Sequence, residues 1–383
     1  MPTRARWSLP EDRAGVAVAA AALFLCCWVL VHHWFWARGT LVDWPTYQTY
    51  GGAIVHSHDV PYRDFAVEYP PGALPMFVLP SWSGGDYATT FEWVMAVCGV
   101  ALVVVIALWL SPTAALYAAL APLLVGSLIL SRFDLWPALL ATAALAALLH
   151  ERHALGWGLL AAAVSAKLWP LVLVPPALVW TYRRGRLTSV LAGVAVLVLV
   201  VGPFLIAAPH GLYESLRGQA DRPLQVESLG ATLFTTFGHP RVISSHGSQG
   251  VAGHGGVGAV FAVAQIAALL ALWIAFARGP ATPERFIRYA VAAVAAFVAF
   301  SKVLSPQYLL WLIPLVPLVR GRRGVAATLV LTLALVLTQL WFPWHYFAYA
   351  DDFHRAWIVF LRDLVLVALV AVLALPMRLA ARA

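Results

Sequence analysis

The feature that most constrains this chain is the recurrence of long apolar runs. Residues 190–206, VLAGVAVLVLVVGPFLI, are the clearest case, because they hold no charged side chain at all. A helix rises about 1.5 Å per residue, so a run of roughly 20 residues covers the ~30 Å hydrocarbon core of a bilayer. Backbone amides in lipid must find partners within the structure, which leaves helices or closed strand barrels as the spanning forms. The runs do not alternate in polarity as barrel strands do, so helices are expected. With 62% hydrophobic and 11% charged residues among 383, an array of soluble domains is excluded. The expectation is an all-α, polytopic transmembrane helical bundle in which residues 1–383 form a single integral membrane domain.

Spans are expected over 14–36, 69–82, 87–110, 112–130, 135–149, 155–180, 187–208, 257–277, 286–300, 306–319, 325–342 and 357–375, about twelve in all. The first is too long for the core of a cleaved signal peptide and ends in a Trp-rich stretch without a small-residue cleavage site, so it reads as a retained span. Residues 69–82 are short and interrupted by Pro70, Pro71, Pro75 and Pro80, and the basic residues arbitrate. If this segment crosses, Arg4, Arg6, Arg13, Arg132, Arg183, Arg184, Arg186, Arg278, Arg285, Arg288, Arg320, Arg322, Arg323, Arg378 and Arg382 share one side, which the positive-inside tendency makes cytoplasmic. Both termini are then cytoplasmic, and residues 37–68, 209–256, 301–307 and 344–354 share the outer face. The net charge of +8 is spread over these short clusters and forms no patch or stripe for nucleic acid. Cys26, Cys27 and Cys98 lie in apolar runs without a CxxC pair, so neither disulfides nor a thiolate metal site is expected.

Residues 43–75, DWPTYQTYGGAIVHSHDVPYRDFAVEYPPGALP, set Asp43, Asp59, Asp64 and Glu68 among aromatic rings between two apolar runs. Acids this close to lipid are costly and must face water, cations or substrate. Asp43 stands beside Trp44 and Pro45 just beyond the first span, where it is placed to take a proton from an attacking hydroxyl. Taken by itself it reads more simply as a solvated loop acid or as the cap of a helix starting at WPTYQTYGG. Arg63, Asp64, Glu68 and Tyr69 offer hydrogen-bonding groups and a ring face to a sugar, or else a structural loop in which Arg63 pairs with an acid and the prolines fix the turn. His56 and His58 project to opposite sides of an extended chain, and no metal site is expected there.

Lys167, in AVSAKLWPLVLVP, is a lone lysine in an apolar stretch and must either snorkel or meet an anion such as a phosphate. Arg132 and Asp134, in SRFDLWP, read as an ion pair at a cytoplasmic turn. FSKVLSPQYLLWLIP brings Lys302, Ser305, Pro306 and Gln307 to the outer face, as the wall of a polar cavity with an anion contact or as a simple interhelical turn. His345, in the 344–354 loop of that face, joins the substrate-binding candidates. The 209–256 segment ends in SSHGSQGVAGHGGVG, glycine-rich enough to be mobile, which suits a cover that orders over substrate or an inert linker.

Asp43, then PYRDFAVEYPPG, then SAKLWPLVLVP, then SKVLSPQYLLWLIP, in this order and within this pattern of spans, resemble family 87 of the glycosyltransferases. These are integral-membrane enzymes of the GT-C class and include actinobacterial polyprenyl-phosphate-mannose-dependent alpha-mannosyltransferases. The resemblance implies a polyprenyl-phosphate-linked sugar donor, with mannose as the family-level choice, and a lipid or glycan acceptor of the cell envelope. It implies an active site on the extracytoplasmic face of the plasma membrane, with an aspartate of the first outer loop as general base at the position of Asp43.

Such a reaction calls for no cofactor and no metal. The phosphodiester is already a fair leaving group, Lys302 or Lys167 would steady the developing charge, and the anomeric centre would invert. A multi-span transporter or lipid flippase is the rival reading, since about twelve spans is also a common transporter size. Against it, the acids crowd into the first outer loop and the two halves of the chain show no likeness to each other.

Overall fold

The computed structural model describes residues 11–35, 41–245 and 247–375. Arg4, Arg6, Arg378 and Arg382, and the start of the expected 37–68 loop, lie outside the described residues. Six helices are long and apolar enough to cross a membrane: Arg13–His33, Tyr87–Trp109, Leu187–Ala207, Gly255–Arg278, Gly321–Gln339 and Ala356–Ala374. The shorter apolar helices Leu135–Leu149, His153–Ala166, Trp169–Tyr182 and Pro306–Leu318 pack among them. An all-α membrane bundle is therefore what the chain forms; length and composition alone mark six spanning helices among the described residues, which does not confirm the expected count of about twelve. Among the described residues, strand is confined to one antiparallel hairpin, Val242–Ser245 with Ser248–Val251.

Burial separates lipid-facing from central helices. Leu187–Ala207 turns Val198, Leu199 and Ile206 outward, and Gly255–Arg278 does the same with Val260, Val263 and Ile266, as acyl chains require. The Pro283–Ala299 helix is buried on nearly every side, and its run of alanines lets neighbouring backbones approach closely.

Contacts between helix ends fix how the chain runs from one end of the bundle to the other. Arg13 donates to the Leu108 carbonyl at 2.9 Å while His32 meets Glu92 at 2.8 Å, so Arg13–His33 and Tyr87–Trp109 are antiparallel. Residues 41–86 therefore begin and end at the same end. Within them, Leu74–Trp82 is a helix of only 9 residues, packed on Trp44–Val55. The expected crossing over 69–82 does not take place.

A second departure offsets the first. Residues 155–180, read as one span, double back at Lys167: His153–Ala166 leads up to it, and Trp169–Leu173 and Val174–Tyr182 return. The break falls at Lys167, whose extended backbone at φ −157° and ψ 145° ends the first helix, and Pro170 stands in the first turn of the next, where its missing amide donor costs nothing. Glu151 accordingly meets Arg184 at 2.8 Å at one end, and Lys167 meets Asp134 at 2.7 Å at the other. Loops beyond residue 182 keep their expected ends, whereas those between 83 and 167 exchange theirs. Arg132 and Asp134 thus leave the arginine-rich end, which gathers Arg183 on the Gly279 and Ala277 carbonyls, Arg320 beside Glu284 at 3.9 Å, and Arg323 on the Leu375 carbonyl at 2.8 Å.

Candidate functional site

At the end remote from these arginines the bundle encloses a cavity of about 610 Å³, within the range of small-ligand sites. Two glycines bring its walls together. A side chain on Gly72 would collide with the backbone of Ser165 and Ala166, so only glycine lets the end of His153–Ala166 lie on this turn. Trp136 fastens the contact by donating to the Gly72 carbonyl at 3.1 Å, and Lys167 is thereby delivered beside Tyr69. Gly211 likewise sits against the Tyr62 carbonyl, which docks Pro209–Ala220 on the first loop, and Gln219 donates to the Glu68 carbonyl at 3.0 Å.

Asp43 occupies the N-cap position of Trp44–Val55, yet its side chain makes no capping bond. It pairs instead with Nη1 of Arg132 and accepts from the Tyr47 hydroxyl at 3.4 Å. Its side chain is 32% exposed against 10% for Arg132, so the acid opens to the cavity from a buried cation. Arg132 and Asp134 are not paired with each other at a turn as expected. Each is drawn to an opposite charge from another part of the chain.

Lys167 stands in the cavity wall, with Nζ 2.7 Å from Asp134 Oδ1. Phe133 lies 4.8 Å, Trp311 5.5 Å and Tyr69 5.8 Å from the ammonium, distances at which ring faces attract a cation. Asp134 is buried and also accepts from Trp311 Nε1 at 2.6 Å. Lys302 also lines the cavity and donates to the Ala220 carbonyl at 2.6 Å. Glu68, Tyr69 and Gln307 line the cavity too.

Three candidates are not brought there. Arg63 and Asp64 pair with one another at 2.9 Å on the surface of the first loop, and the Val60 amide also donates to Asp64. The Arg63 guanidinium and that amide hold the Asp64 carboxyl below the usual carboxylate range. His345 is outside the wall, although its neighbours Phe342, Tyr346 and Phe347 line it.

The cavity also contains residues that the sequence did not place there, Arg132 having been read as cytoplasmic and the others not singled out. Arg132, Arg222, Gln225 and Glu227 all line it. Glu227 belongs to a connecting segment and is 1% exposed, and burial pushes its carboxyl up to about 7. Behind it, Arg362 and Asp363 form a wholly buried pair 2.7 Å apart within Ala356–Ala374. Asp363 accepts from the Thr232 hydroxyl at 2.9 Å, and Arg362 donates to the Glu227 carbonyl at 2.8 Å. The signal for this pair was two adjacent charges inside an apolar run, which demand an interior partner.

The glycine-rich stretch is not a free linker. Gly247, at φ 65°, turns the hairpin, and the chain at 224–226 adds to it through Val226 N to Gln249 O at 3.1 Å and Val251 N to Leu224 O at 2.8 Å. Ser244, Ser248 and Gln249 thereby line the cavity. Four cations, Arg132, Lys167, Arg222 and Lys302, and three acids, Asp43, Glu68 and Glu227, thus share one chamber. That mixture suits a ligand with both an anionic group and neutral hydroxyls.

The family pattern described as Mannosyltransferase (PIG-M) matches residues 247–380. No curated protein matches the chain. The pattern of glycosyltransferase family 87 matches residues 67–306, a stretch that takes in Arg132, Lys167, Glu227 and Lys302 and leaves Asp43 on its N-terminal side. With more than half of its length matched, the chain belongs to glycosyltransferase family 87.

Proposed function

We propose that this membrane glycosyltransferase moves a mannosyl unit from a polyprenyl-phosphate donor to a hydroxyl of a lipid or glycan acceptor, on the extracytoplasmic face of the plasma membrane, in the manner of the GT-C class. The observation that carries the reading is the meeting of Asp43 with the cations Arg132, Lys167 and Lys302 in one cavity, at the end remote from the arginine clusters. The choice of mannose rests on the mannosyltransferase match. The choice of face rests on the tendency of arginine-rich loops to stay in the cytoplasm.

In this reading the acceptor oxygen attacks the anomeric carbon as the bond from that carbon to the phosphate oxygen breaks. Asp43 takes the hydroxyl proton, the phosphate leaves with the bonding pair, and the configuration inverts. Lys167, Lys302 and Arg132 offset the charge that develops on the departing phosphate. Arg132 has a second effect. A guanidinium bound to a carboxylate makes it a weaker base, so a phosphate that draws Arg132 to itself releases Asp43 for catalysis. The prenyl tail would pass between Leu216, Ala262 and Phe297 toward the lipid-facing helix Gly255–Arg278.

The test is transfer of labelled mannose from a short-chain polyprenyl-phosphate mannose to lipids extracted from cells that lack this chain, using the purified protein. Labelled glycolipid is expected with the wild type. Its absence would sink the reading. A cysteine introduced near residue 59 should react with an impermeant reagent in intact cells while one in the 320–323 loop should not, and the reverse pattern would invert the topology.

A further inference from the structure

Glu227 lines the cavity with its side chain 1% exposed, and its carboxyl oxygen Oε2 has no hydrogen-bond partner among the described residues. The Gln225 amide and the Tyr346 hydroxyl already interact with the carboxyl and take up part of its accepting capacity, so Oε2 is the oxygen that remains open. A buried acceptor left without a donor costs about as much as a lost hydrogen bond or more, so natural proteins rarely keep one idle. At a ligand cavity such an oxygen marks the place where a donor arrives.

The backbone that carries Glu227 is held from four directions. Gln225 N donates to the Lys302 carbonyl at 3.0 Å and Val226 N to Gln249 at 3.1 Å. The Tyr349 hydroxyl donates to the Val226 carbonyl at 2.5 Å, and Arg362 to the Glu227 carbonyl at 2.8 Å. A carboxyl fixed in this way before ligand binding loses little freedom when it pairs, the arrangement a selective site needs.

We propose that Glu227 is a specificity-determining residue whose Oε2 accepts a hydrogen bond from a ring hydroxyl of the transferred sugar. The proposal rests on the glycosyl-transfer reading above. Charge decides the class of ligand group: the cations of the cavity attract a phosphate, whereas a carboxyl disfavours it and pairs with neutral donors, which is what sugar hydroxyls are. Position decides which sugar. The transferred unit is bonded directly to the phosphate and must lie beside the cations, and Glu227 shares their cavity and is close enough to Arg132 to act on its charge. The acceptor needs only to bring one hydroxyl to Asp43, whose side chain is 32% exposed. Protonated or not, the Glu227 carboxyl keeps an acceptor oxygen.

The experiment measures binding and needs no acceptor. The purified full chain is titrated calorimetrically with farnesyl-phosphate mannose and with its monodeoxy analogues, one hydroxyl removed at a time. The wild type is expected to bind one analogue about ten- to a hundredfold more weakly than the parent, because loss of that hydroxyl leaves the buried oxygen unpaired. Glu227→Gln keeps the shape and one acceptor oxygen but not the charge, and should shrink this ratio to roughly threefold. Glu227→Ala should bind parent and analogue alike. If the parent binds and its ratio to every analogue is the same in the wild type and in Glu227→Gln, the role of Glu227 is overturned and the transfer reading stands. If the wild type does not bind the parent, both fall.

Discussion

Arg132 is ion-paired with Asp43, two residues that an arginine count places on opposite sides of a membrane. The pair shows why the first loop and the 128–135 turn belong to one site. It also accounts for the absence of a capping bond from Asp43, because the carboxylate is turned toward the guanidinium and away from the first amides of its own helix.

Asp43→Asn should leave the fold intact, since the side chain caps nothing and an amide oxygen can still accept from Arg132. Turnover should fall by about a hundredfold or more, the usual contribution of a positioned base, with donor affinity changed less than about threefold. Turnover, donor titration and a melting curve on one preparation check this. Wild-type turnover would remove the residue from the mechanism.

Arg132→Lys and Arg132→Gln separate charge from geometry. Lysine keeps the charge but lacks the planar fork that grips a carboxylate or phosphate, whereas glutamine loses both. Donor affinity should decline in the order wild type, Lys, Gln, with the Gln variant weaker by about tenfold or more. Equal affinity in all three would confine Arg132 to a structural role.

Lys302→Ala should weaken donor binding by about ten- to a hundredfold, and Lys302→Arg by less, because a charge-assisted contact to phosphate is lost in one and kept in the other. Lys167 should behave differently. Lys167→Met strands the buried Asp134 carboxylate and should destabilise the protein by about 3–5 kcal/mol. Adding Asp134→Leu should restore the melting temperature but not donor affinity. Recovery of both would make the pair a packing element only.

Glu227 predicts a pH dependence of stability. Its folded-state value of about 7 lies above the ordinary glutamate value of ~4.3, so between these values the folded chain binds more protons than the unfolded one. This contribution is complete below about pH 4.3 and is lost as the pH rises through 7. The melting temperature in detergent should therefore fall across this window, and the difference between wild type and Glu227→Gln should follow the same slope. Parallel curves for the two proteins would show that Glu227 does not titrate there.

The amino-acid sequence alone determined the class of the fold and picked out several of the residues that line the cavity. Lipid solvation acts on each apolar run locally, so runs such as 190–206 are legible without knowing their neighbours. The same local rule sets Asp43, Glu68, Tyr69, Lys302 and Gln307 apart as polar residues between such runs, and all five line the cavity. What only the tertiary structure decided was parity and pairing. Whether 69–82 crosses and where 155–180 turns depend on how Gly72 lets one segment lie against another, and an error of one crossing moved Arg132 from one end of the bundle to the other. Glu227 was hidden for a related reason. Its sequence neighbours mix polar and apolar residues, Gln225 and Ser228 with Leu224 and Val226, in a pattern that marks no buried element, and its burial comes from Lys302, Gln249, Tyr349 and Arg362, side chains and backbone contributed by distant parts of the chain.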